Sequence, residues 1–357
     1  MQGYGVTIKI LRRLTRAAPI LAIAALMFIA LGAVFSGNRD ADEPISLLTP
    51  RGLPLVEIPE DNPQTEAKVA LGKQLYFDKR LSVDNSVSCA SCHDPARGWS
   101  DGAAVSAGVQ GQRGGRNSPT LLNTAYNRFQ FWDGRAATLE DQAVAPILNP
   151  VEMGMPSRES VQEKLGAIPG YKTQFQEVFG GSPSAENVAR AIAAFERTIL
   201  AGEAPYDHFR AGDKVALSES AQRGLKLFFN KAHCAACHSG PNFTDNAFHN
   251  IGVGVGKSKP DKGRQAISKL AGDRGAFKTP SLRDVARTAP YMHDGSNQTL
   301  DEVVEFYNKG GVHNPQLDEE IFPLKLSDRE QQDLITFLKE GLTSNAYPDV
   351  QPPRLPD

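Results

Sequence analysis

The sequence predicts a mainly α-helical fold built from two copies of one domain with long loops, after an N-terminal apolar segment. Three observations support this prediction. A five-residue cysteine and histidine motif occurs twice, and the blocks around it repeat. Apolar residues follow the helical period over residues 186–200 and 328–340, whereas strand-like alternation is scarce. Gly-rich and Pro-rich stretches separate the predicted helices, which predicts long loops.

The N-terminus has the pattern of an export signal. An uncharged apolar run over residues 17–35 is long enough to cross a bilayer. The basic residues that precede it are Lys9, Arg12, Arg13 and Arg16. We therefore expect residues 1–36 to be a cleaved signal peptide or a helix that anchors the chain to the inner membrane, with the remainder in the periplasm. Residues 37–63, rich in Pro, Asp, Glu and Asn, are predicted to be a linker.

Charge and length restrict the remaining possibilities. Without residues 1–36 the chain carries 35 Lys and Arg residues against 41 Asp and Glu residues, a net charge of −6. Nucleic-acid binding needs clustered positive charge, so no nucleic-acid partner is expected. The length favours two domains, which we place at residues 64–205 and 206–345, followed by a tail at 346–357.

All four cysteines belong to two copies of one motif, Cys89-Ala-Ser-Cys92-His93 and Cys234-Ala-Ala-Cys237-His238. This spacing is the signature of c-type haem attachment, in which two thiols bond to the haem and the histidine binds its iron. A disulfide framework or a zinc site gives the histidine no role, and a thioredoxin-like pair needs a βαβ unit that the sequence lacks. We therefore expect two covalently bound haems in cytochrome c-like domains, with His93 and His238 as iron ligands.

The repeat extends to both sides of each motif. Upstream, residues 72–79 (GKQLYFDK) match 224–231 (GLKLFFNK), each a predicted short helix that carries an aromatic pair towards a haem. Downstream, residues 118–121 (SPTL) match 279–282 (TPSL), and the following blocks align without a gap. The unlike residues at equivalent positions are Trp132 and His293, Pro146 and Tyr307, and Glu152 and His313. Because the copies diverge there, the two haems are expected to differ in function.

With these motifs the sequence resembles the bacterial di-haem cytochrome c peroxidases and their relative MauG. The resemblance covers the chain from about Ile58 onward. The segments that carry it are CASCHDPARGWSDG, NSPTLLN, FWDGRA, NPVEMG, CAACHSGPNF, TPSLR and APYMHDGSNQTLDEVVEFY. In that family the N-terminal haem reacts with peroxide, the C-terminal haem transfers electrons, and a calcium ion lies between the domains. The resemblance implies the same arrangement here.

The resemblance also implies roles for individual residues. Glu152 matches the acid beside the peroxide-binding iron, where a carboxyl group can move a proton to the leaving oxygen. Trp132 matches the tryptophan that passes electrons between the haems. His293 is expected to form hydrogen bonds in the second haem pocket without binding iron. The expected calcium ligands are the Asn117 side chain and the carbonyl oxygens of Thr288 and Pro290.

Two positions depart from typical cytochrome c peroxidases. Where peroxidases that need reductive activation have a histidine that caps the first iron, this sequence has Val109. The first iron is therefore expected to be open, with Gln110 or Gln112 lining its pocket. The distal ligand of the second iron, methionine in typical peroxidases, aligns with Tyr307, as in MauG-like proteins; Met292 is the alternative. A phenolate ligand favours ferric and higher oxidation states.

The sequence therefore predicts a periplasmic di-haem c-type peroxidase that reduces hydrogen peroxide. Its electrons would come from a small cytochrome c or cupredoxin, or from a partner protein that it oxidises, as with MauG. The alternative is a non-catalytic electron-transfer cytochrome, which would need both irons closed to small molecules. The identity of the donor is left open, as is the formation of a homodimer.

Overall fold

The computed structural model describes residues 43–357, and the secondary structure of these residues is mainly helical, as predicted. The predicted export segment, residues 1–36, lies outside the described residues, as does the start of the predicted linker. Within residues 43–357, no helix combines the length and the apolar composition that crossing a bilayer requires.

Eleven α-helices can be distinguished in residues 43–357. In chain order they are α1 (Glu66–Phe77), α2 (Cys89–Cys92), α3 (Leu139–Leu148), α4 (Arg158–Gly166), α5 (Pro169–Phe179), α6 (Ala185–Glu196), α7 (Pro205–Arg210), α8 (Glu219–Phe229), α9 (Gln265–Ser268), α10 (Leu300–Asn308) and α11 (Asp328–Thr336). A π-helical turn, Phe337–Gly341, continues α11. Short 3₁₀ turns lie at Lys79–Leu81, Pro95–Arg97, Val109–Gly111, Thr124–Tyr126, Cys234–Ala236, Ala271–Asp273 and Val285–Arg287. Two short strands, β1 (Phe248–His249) and β2 (Phe277–Lys278), pair antiparallel.

The two helices predicted from periodicity are present, but their ends differ from the prediction. The helix predicted over residues 186–200 is α6, and it ends at Glu196. The hydroxyl and the backbone N–H of Thr198 both donate to the Phe195 carbonyl, at 2.7 and 2.9 Å, which closes the last turn early. The helix predicted over residues 328–340 is α11, which starts at a Ser327–Glu330 capping box and widens into the π-helical turn after Thr336.

The same helix crossing occurs once in each half. Helix α1 packs on α6, and α8 packs on α11. At the first crossing a Cβ on Gly72 would overlap the carbonyl oxygen of Ala191, and at the second a Cβ on Gly224 would overlap that of Asp333. These two glycines occupy equivalent positions in the sequence repeat. Each half requires glycine there, because a side chain would prevent so close an approach of the two helix backbones.

Residues 43–63 and the C-terminal residues 346–357 pack on the body of the protein. The hydroxyl of Tyr126 donates to the Pro54 carbonyl at 2.8 Å. At the other end, the indole Nε1 of Trp99 donates to the Pro348 carbonyl at 3.2 Å, and the backbone N–H of Gly170 donates to Asp357 at 3.0 Å. The predicted tail therefore returns to the first half of the chain.

A buried ion pair between Arg283 and Asp207 helps to hold the segment around Gly52 against the body of the protein. Two guanidinium nitrogens of Arg283 reach the two carboxylate oxygens of Asp207 at 2.8 and 2.9 Å, and both side chains are 2% exposed. Arg283 also donates to the carbonyls of Gly52 (3.0 Å) and Pro241 (2.7 Å), so one side chain connects three distant segments. Such bidentate, charge-assisted contacts are strong, and each partner depends on the other because both are desolvated.

We expect Arg283→Met to destabilise the holoprotein by about 3–5 kcal/mol, because the substitution leaves the Asp207 carboxylate buried without its partner. The comparison is Arg158→Met, which removes an ion pair to Glu186 whose side chains are 48% and 59% exposed. That change should cost at most about 1 kcal/mol. Urea unfolding followed by far-UV circular dichroism measures both. Equal midpoints for the two variants would contradict the assigned importance of the buried pair.

Candidate haem site

A large cavity of about 860 Å³ is lined by side chains from both halves of the described chain. The residues predicted for haem attachment, iron binding, catalysis and calcium binding all lie on its wall, whereas Gln110 and Gln112 do not. Those on the wall are Cys89, Cys92, His93, Asn117, Trp132, Glu152, Cys234, Cys237, His238, Thr288, Pro290, His293 and Tyr307. The wall also contains mainly apolar side chains, as expected for a site that receives a large aromatic group.

The first motif starts a short helix, α2, whose N-terminus is capped by Ser88 and Ser91. His93 follows directly, and its ring nitrogen Nδ1 lies 3.4 Å from the carbonyl oxygen of Trp99. The hydroxyl of Tyr76 donates to the backbone carbonyl of His93 itself. Burial lowers the pKa of His93, so the ring is neutral at neutral pH.

The second motif repeats this geometry. Nδ1 of His238 lies 3.0 Å from the carbonyl oxygen of Phe243, and burial lowers the pKa of His238 too. Trp99 and Phe243 both have left-handed backbone conformations, with φ of 58° and 51°. A neutral histidine whose Nδ1–H is bound to a carbonyl presents the lone pair of Nε2, which is how metal-binding histidines are usually held.

The four cysteines, all within the described chain, form no disulfide. Each pair lies beside its histidine on the cavity wall, as thioether attachment of a haem requires. Cys237 also lies near Asp245 and His249, which together resemble a metal site. The ring nitrogens of His249 are already bound to Asp318 and Asp245, at 2.7 and 2.9 Å, so this cluster offers a metal no free nitrogen.

Glu152 lies in the loop after α3, partly buried, on the wall of the cavity. Asn149 donates its side-chain amide to Glu152 Oε1 at 2.9 Å. Burial raises the pKa of Glu152, while the positive charge of Arg135 and the Asn149 hydrogen bond act in the opposite direction. The Glu152 carboxyl is therefore closer to its protonated form at neutral pH than an ordinary glutamate.

The loop that carries Val109 contacts the backbone of the segment that carries Glu152. The Val109 N–H donates to the Glu152 carbonyl at 2.9 Å, and the buried Val109 side chain lies against Gly154. The expectation that Gln110 or Gln112 lines the pocket is wrong. Both are exposed, and the described wall of the cavity contains neither. Gln112 is turned away because its amide donates to the Pro150 carbonyl at 3.1 Å.

The predicted aromatic pairs also differ from expectation. Phe228 does line the cavity, but Phe229 is 45% exposed. In the first half, Tyr76 packs against Trp99 and Phe195, with ring centroids 5.8 and 5.2 Å away, instead of facing the cavity. These aromatic residues mainly support the core behind the haem site.

Trp132 and His293 take part in contacts that connect the two halves along the cavity wall. The indole Nε1 of Trp132 donates to the Asn117 carbonyl at 2.9 Å, and the Asn117 N–H donates to the His293 carbonyl at 2.8 Å. The His293 ring stacks on Phe277 with centroids 3.6 Å apart. Burial lowers the pKa of His293 to about 4, so its ring is neutral at neutral pH.

Tyr307 lies on α10, on the part of the wall that belongs to the second motif. Burial raises the pKa of its phenol, and the charges of Cys234 and Cys237 add to this effect in the same direction. A phenolate at this position would therefore need a cation opposite it. Met292, the alternative ligand, also lines the cavity.

The three predicted calcium ligands lie on the same wall. Asn117 is 6% exposed and donates its side-chain N–H to the Ala103 carbonyl at 2.8 Å, so that its Oδ1 is the atom to meet a cation. Thr288 and Pro290, after the Val285–Arg287 turn, would add only backbone carbonyls. Neutral oxygen ligands of this kind fit a partly hydrated Ca²⁺.

Sequence reasoning missed a second buried acid. Glu196, the last residue of α6, is 3% exposed and lines the cavity near Cys89. Burial raises its pKa to about 8, and Oε2 has no hydrogen-bond partner among the described residues. The only signal in the sequence is an acid within an apolar helical stripe, which by itself does not distinguish a cavity residue from a helix end.

Comparison with known proteins agrees with this geometry. A family model described as di-haem cytochrome c peroxidase matches residues 66–215. The chain is 47% identical to the methylamine utilization protein MauG of Methylorubrum extorquens over 283 residues, which is 79% of this chain and 80% of that protein. It is 42% identical to the cytochrome-c peroxidase IdrP1 of Denitromonas iodatirespirans, with 85% and 89% of the two chains covered.

Among solved structures, a MauG-like protein associated with microbial copper homeostasis superposes with a TM-score of 0.74 at 33% identity. The match covers 85% of this chain and 95% of that protein. The diheme peroxidase BthA of Burkholderia thailandensis gives a TM-score of 0.70 at 25% identity, over 86% and 93% of the two chains. The chain belongs to the di-haem cytochrome c peroxidase and MauG family, and is a haem-dependent oxidoreductase with two c-type haems.

Proposed function

We propose that the chain is a periplasmic peroxidase that reduces hydrogen peroxide to water at the haem of the first motif. One observation carries the proposal: the two motifs face unlike side chains across one cavity. Burial raises the pKa of the Cys92 thiol, and the Glu152 carboxylate lies near enough to raise the pKa of that thiol further. The phenol of Tyr307 is instead placed beside the second cysteine pair. A bound c-type haem supplies the iron for peroxide chemistry.

Glu152 is positioned to move protons during this reaction. Reduction of one H₂O₂ to two H₂O consumes two protons and two electrons. A carboxyl group with a raised pKa can take a proton from the oxygen that binds and give it to the oxygen that leaves. The amide of Asn149 holds the carboxyl in place, while Arg135 on the same wall offsets part of the effect of burial.

The first site is proposed to be open to peroxide without prior reduction. Val109 stands where the capping histidine of other peroxidases is expected, and its side chain packs on Gly154. The role proposed for His93 is that of sole protein ligand of this iron. A non-catalytic electron carrier, the alternative function, would need a second protein ligand here, and the Glu152 carboxyl would then have no evident task.

The second site is proposed to transfer electrons with His238 and Tyr307 as iron ligands. Trp132 would relay electrons between the sites. Its indole is fixed by the hydrogen bond to Asn117, and Asn117 is bound in turn to the backbone of His293 in the other half. A fixed ring between two redox centres is suited to repeated electron passage, because little rearrangement accompanies each transfer.

Two kinds of electron donor fit this proposal. A small cytochrome c or cupredoxin could dock and deliver electrons, or a partner protein could itself be oxidised. Tyr307 favours the second kind, since a hard anionic ligand stabilises oxidised iron. Relatives of this chain carry names of both kinds, cytochrome-c peroxidase and methylamine utilization protein MauG.

We infer that residues 1–36 direct export, that residues 64–205 and 206–345 each hold one haem, and that Ca²⁺ binds at Asn117. The cavity supports the assignment of one haem to each half, since each motif contributes its own cysteines and histidine to the wall. Asn117 supports the calcium site, because its buried side chain donates through the amide nitrogen and leaves Oδ1 for a cation.

The ferric holoprotein should show one high-spin and one low-spin haem by electron paramagnetic resonance, and stoichiometric H₂O₂ should abolish the high-spin signal. The reason is that peroxide can reach only an iron with a free coordination position. Optical spectra recorded in parallel follow both haems. Two low-spin haems that ignore peroxide would leave electron transfer as the only function.

Replacing Glu152 by Gln should slow peroxide turnover roughly 100- to 10,000-fold, the range that general acid–base catalysis supplies. Haem content should not change, because glutamine keeps the size of the side chain. Stopped-flow kinetics with H₂O₂ measure the effect. Glu163→Gln, an exposed glutamate on α4, is the matched control. Wild-type turnover in the Glu152 variant would remove this residue from the mechanism.

Replacing Tyr307 by Met should raise the midpoint potential of the second haem, because a neutral thioether stabilises ferric iron less than a phenolate does. Spectroelectrochemical titration gives the potential of each haem. Tyr291→Phe is the control, since Tyr291 lines the same cavity but its hydroxyl donates to the Val285 carbonyl at 3.0 Å. An unchanged potential in the Tyr307 variant would show that this residue is not an iron ligand.

A further inference from the structure

The two halves are joined by a reciprocal pair of backbone hydrogen bonds. The N–H of Asn117 donates to the carbonyl of His293, and the N–H of Lys278 donates to the carbonyl of Trp132, both at 2.8 Å. In the sequence repeat Asn117 is equivalent to Lys278, and Trp132 is equivalent to His293. The contacts are therefore related by the duplication, and they place Asn117 and Lys278 at matching points on the wall of the shared cavity.

The two equivalent side chains differ in charge. Asn117 offers a neutral amide, whereas Lys278 offers an ammonium group in a place that is 8% exposed. Lysine is rarely buried to this degree without a partner, because removing its charge from water is costly. A buried ammonium at this position indicates that an anion belongs next to it.

The described protein residues do not supply that anion. Among residues 43–357, the only hydrogen-bond acceptor of Lys278 Nζ is the Thr279 carbonyl, at a long 3.5 Å. Asp245 is the carboxylate that acts on Lys278 electrostatically, yet its oxygens are bound to the Ala247 N–H and to His249 Nε2, each at 2.9 Å. Burial accordingly lowers the pKa of Lys278 to about 8.

The cavity itself provides the candidate anion. The family to which the chain belongs carries two c-type haems, and the charged groups at the edge of a haem are its two propionate carboxylates. Lys278 lies two residues before Pro280, whose carbonyl lies close enough to affect the pKa of His238. The segment that holds Lys278 therefore lies beside His238, the expected iron ligand of the second motif.

We propose that the Lys278 ammonium binds a propionate of the haem attached at Cys234 and Cys237. Lys278 thus provides a fixed positive charge in the second half, at the position equivalent to Asn117 in the first. A cation beside a haem disfavours the ferric state, which carries one more positive charge than the ferrous state. Lys278 therefore raises the midpoint potential of the second haem and opposes the effect of an anionic Tyr307. The proposal concerns haem binding and potential, and is independent of peroxide turnover.

The test compares three variants of the full-length holoprotein by spectroelectrochemical titration. Lys278→Met removes the charge and keeps the length of the side chain. It should lower the midpoint potential of the second haem by about 59 mV, a tenfold change in the ferric-to-ferrous ratio. Lys278→Arg should retain the wild-type potential. Lys226→Met removes the same charge from an exposed position on α8 and should change neither haem.

Two results would overturn the proposal. One is an unchanged second potential in Lys278→Met, equal to that of Lys226→Met. The other is a shift confined to the first haem. If Lys278→Met fails to accumulate with haem, a crystal structure of the wild-type holoprotein decides the question. Nζ should then lie about 3 Å from a propionate oxygen of the second haem, and a longer separation with no bridging group would refute the contact.

Discussion

The imidazole ring of each motif histidine is oriented by a contact from its Nδ1 to the carbonyl of a buried aromatic residue, and much of the structure supports that contact. Trp99 accepts from His93, and Phe243 accepts from His238. Trp99 is enclosed by Tyr76, by Phe195 and by the returning C-terminal segment. Because this hydrogen bond sets the ring orientation and the tautomer, residues far from the cavity determine how the imidazole faces the metal.

The Arg283–Asp207 pair serves the second histidine in a similar way. Arg283 donates to the carbonyl of Pro241, and its guanidinium lies 5.8 Å from the ring centroid of Phe243. The loop that carries the acceptor for His238 is thereby tied to α7 and to the segment around Gly52. The dense packing of a protein interior makes such connections rigid, so that a haem bound here would meet a preorganised imidazole.

Burial shifts most ionisable groups on the cavity wall towards their neutral forms. The pKa of Glu152 and that of Glu196 are raised, while that of His293 is lowered to about 4 and that of Lys278 to about 8. The common cause is the cost of holding a charge away from water. A haem would add two carboxylates and a charged iron to this wall. The protonation states that matter for the reaction are therefore those of the loaded protein, in which Lys278 and Tyr307 would each face an opposite charge.

The number of haems, their attachment residues and the duplication could all be predicted from the amino-acid sequence. Covalent attachment requires a fixed local spacing, and a repeat is detected by aligning the chain with itself. Through the family resemblance, the sequence also indicated Trp132, Glu152 and Tyr307 as candidate functional residues. The tertiary structure was needed to show that Gln112 is turned away from the cavity and that α6 ends at Glu196, since competing hydrogen bonds determine both. It alone identified Glu196 and Lys278 as buried polar groups on the cavity wall. Burial depends on contacts between residues far apart in the chain, and no local pattern encodes it.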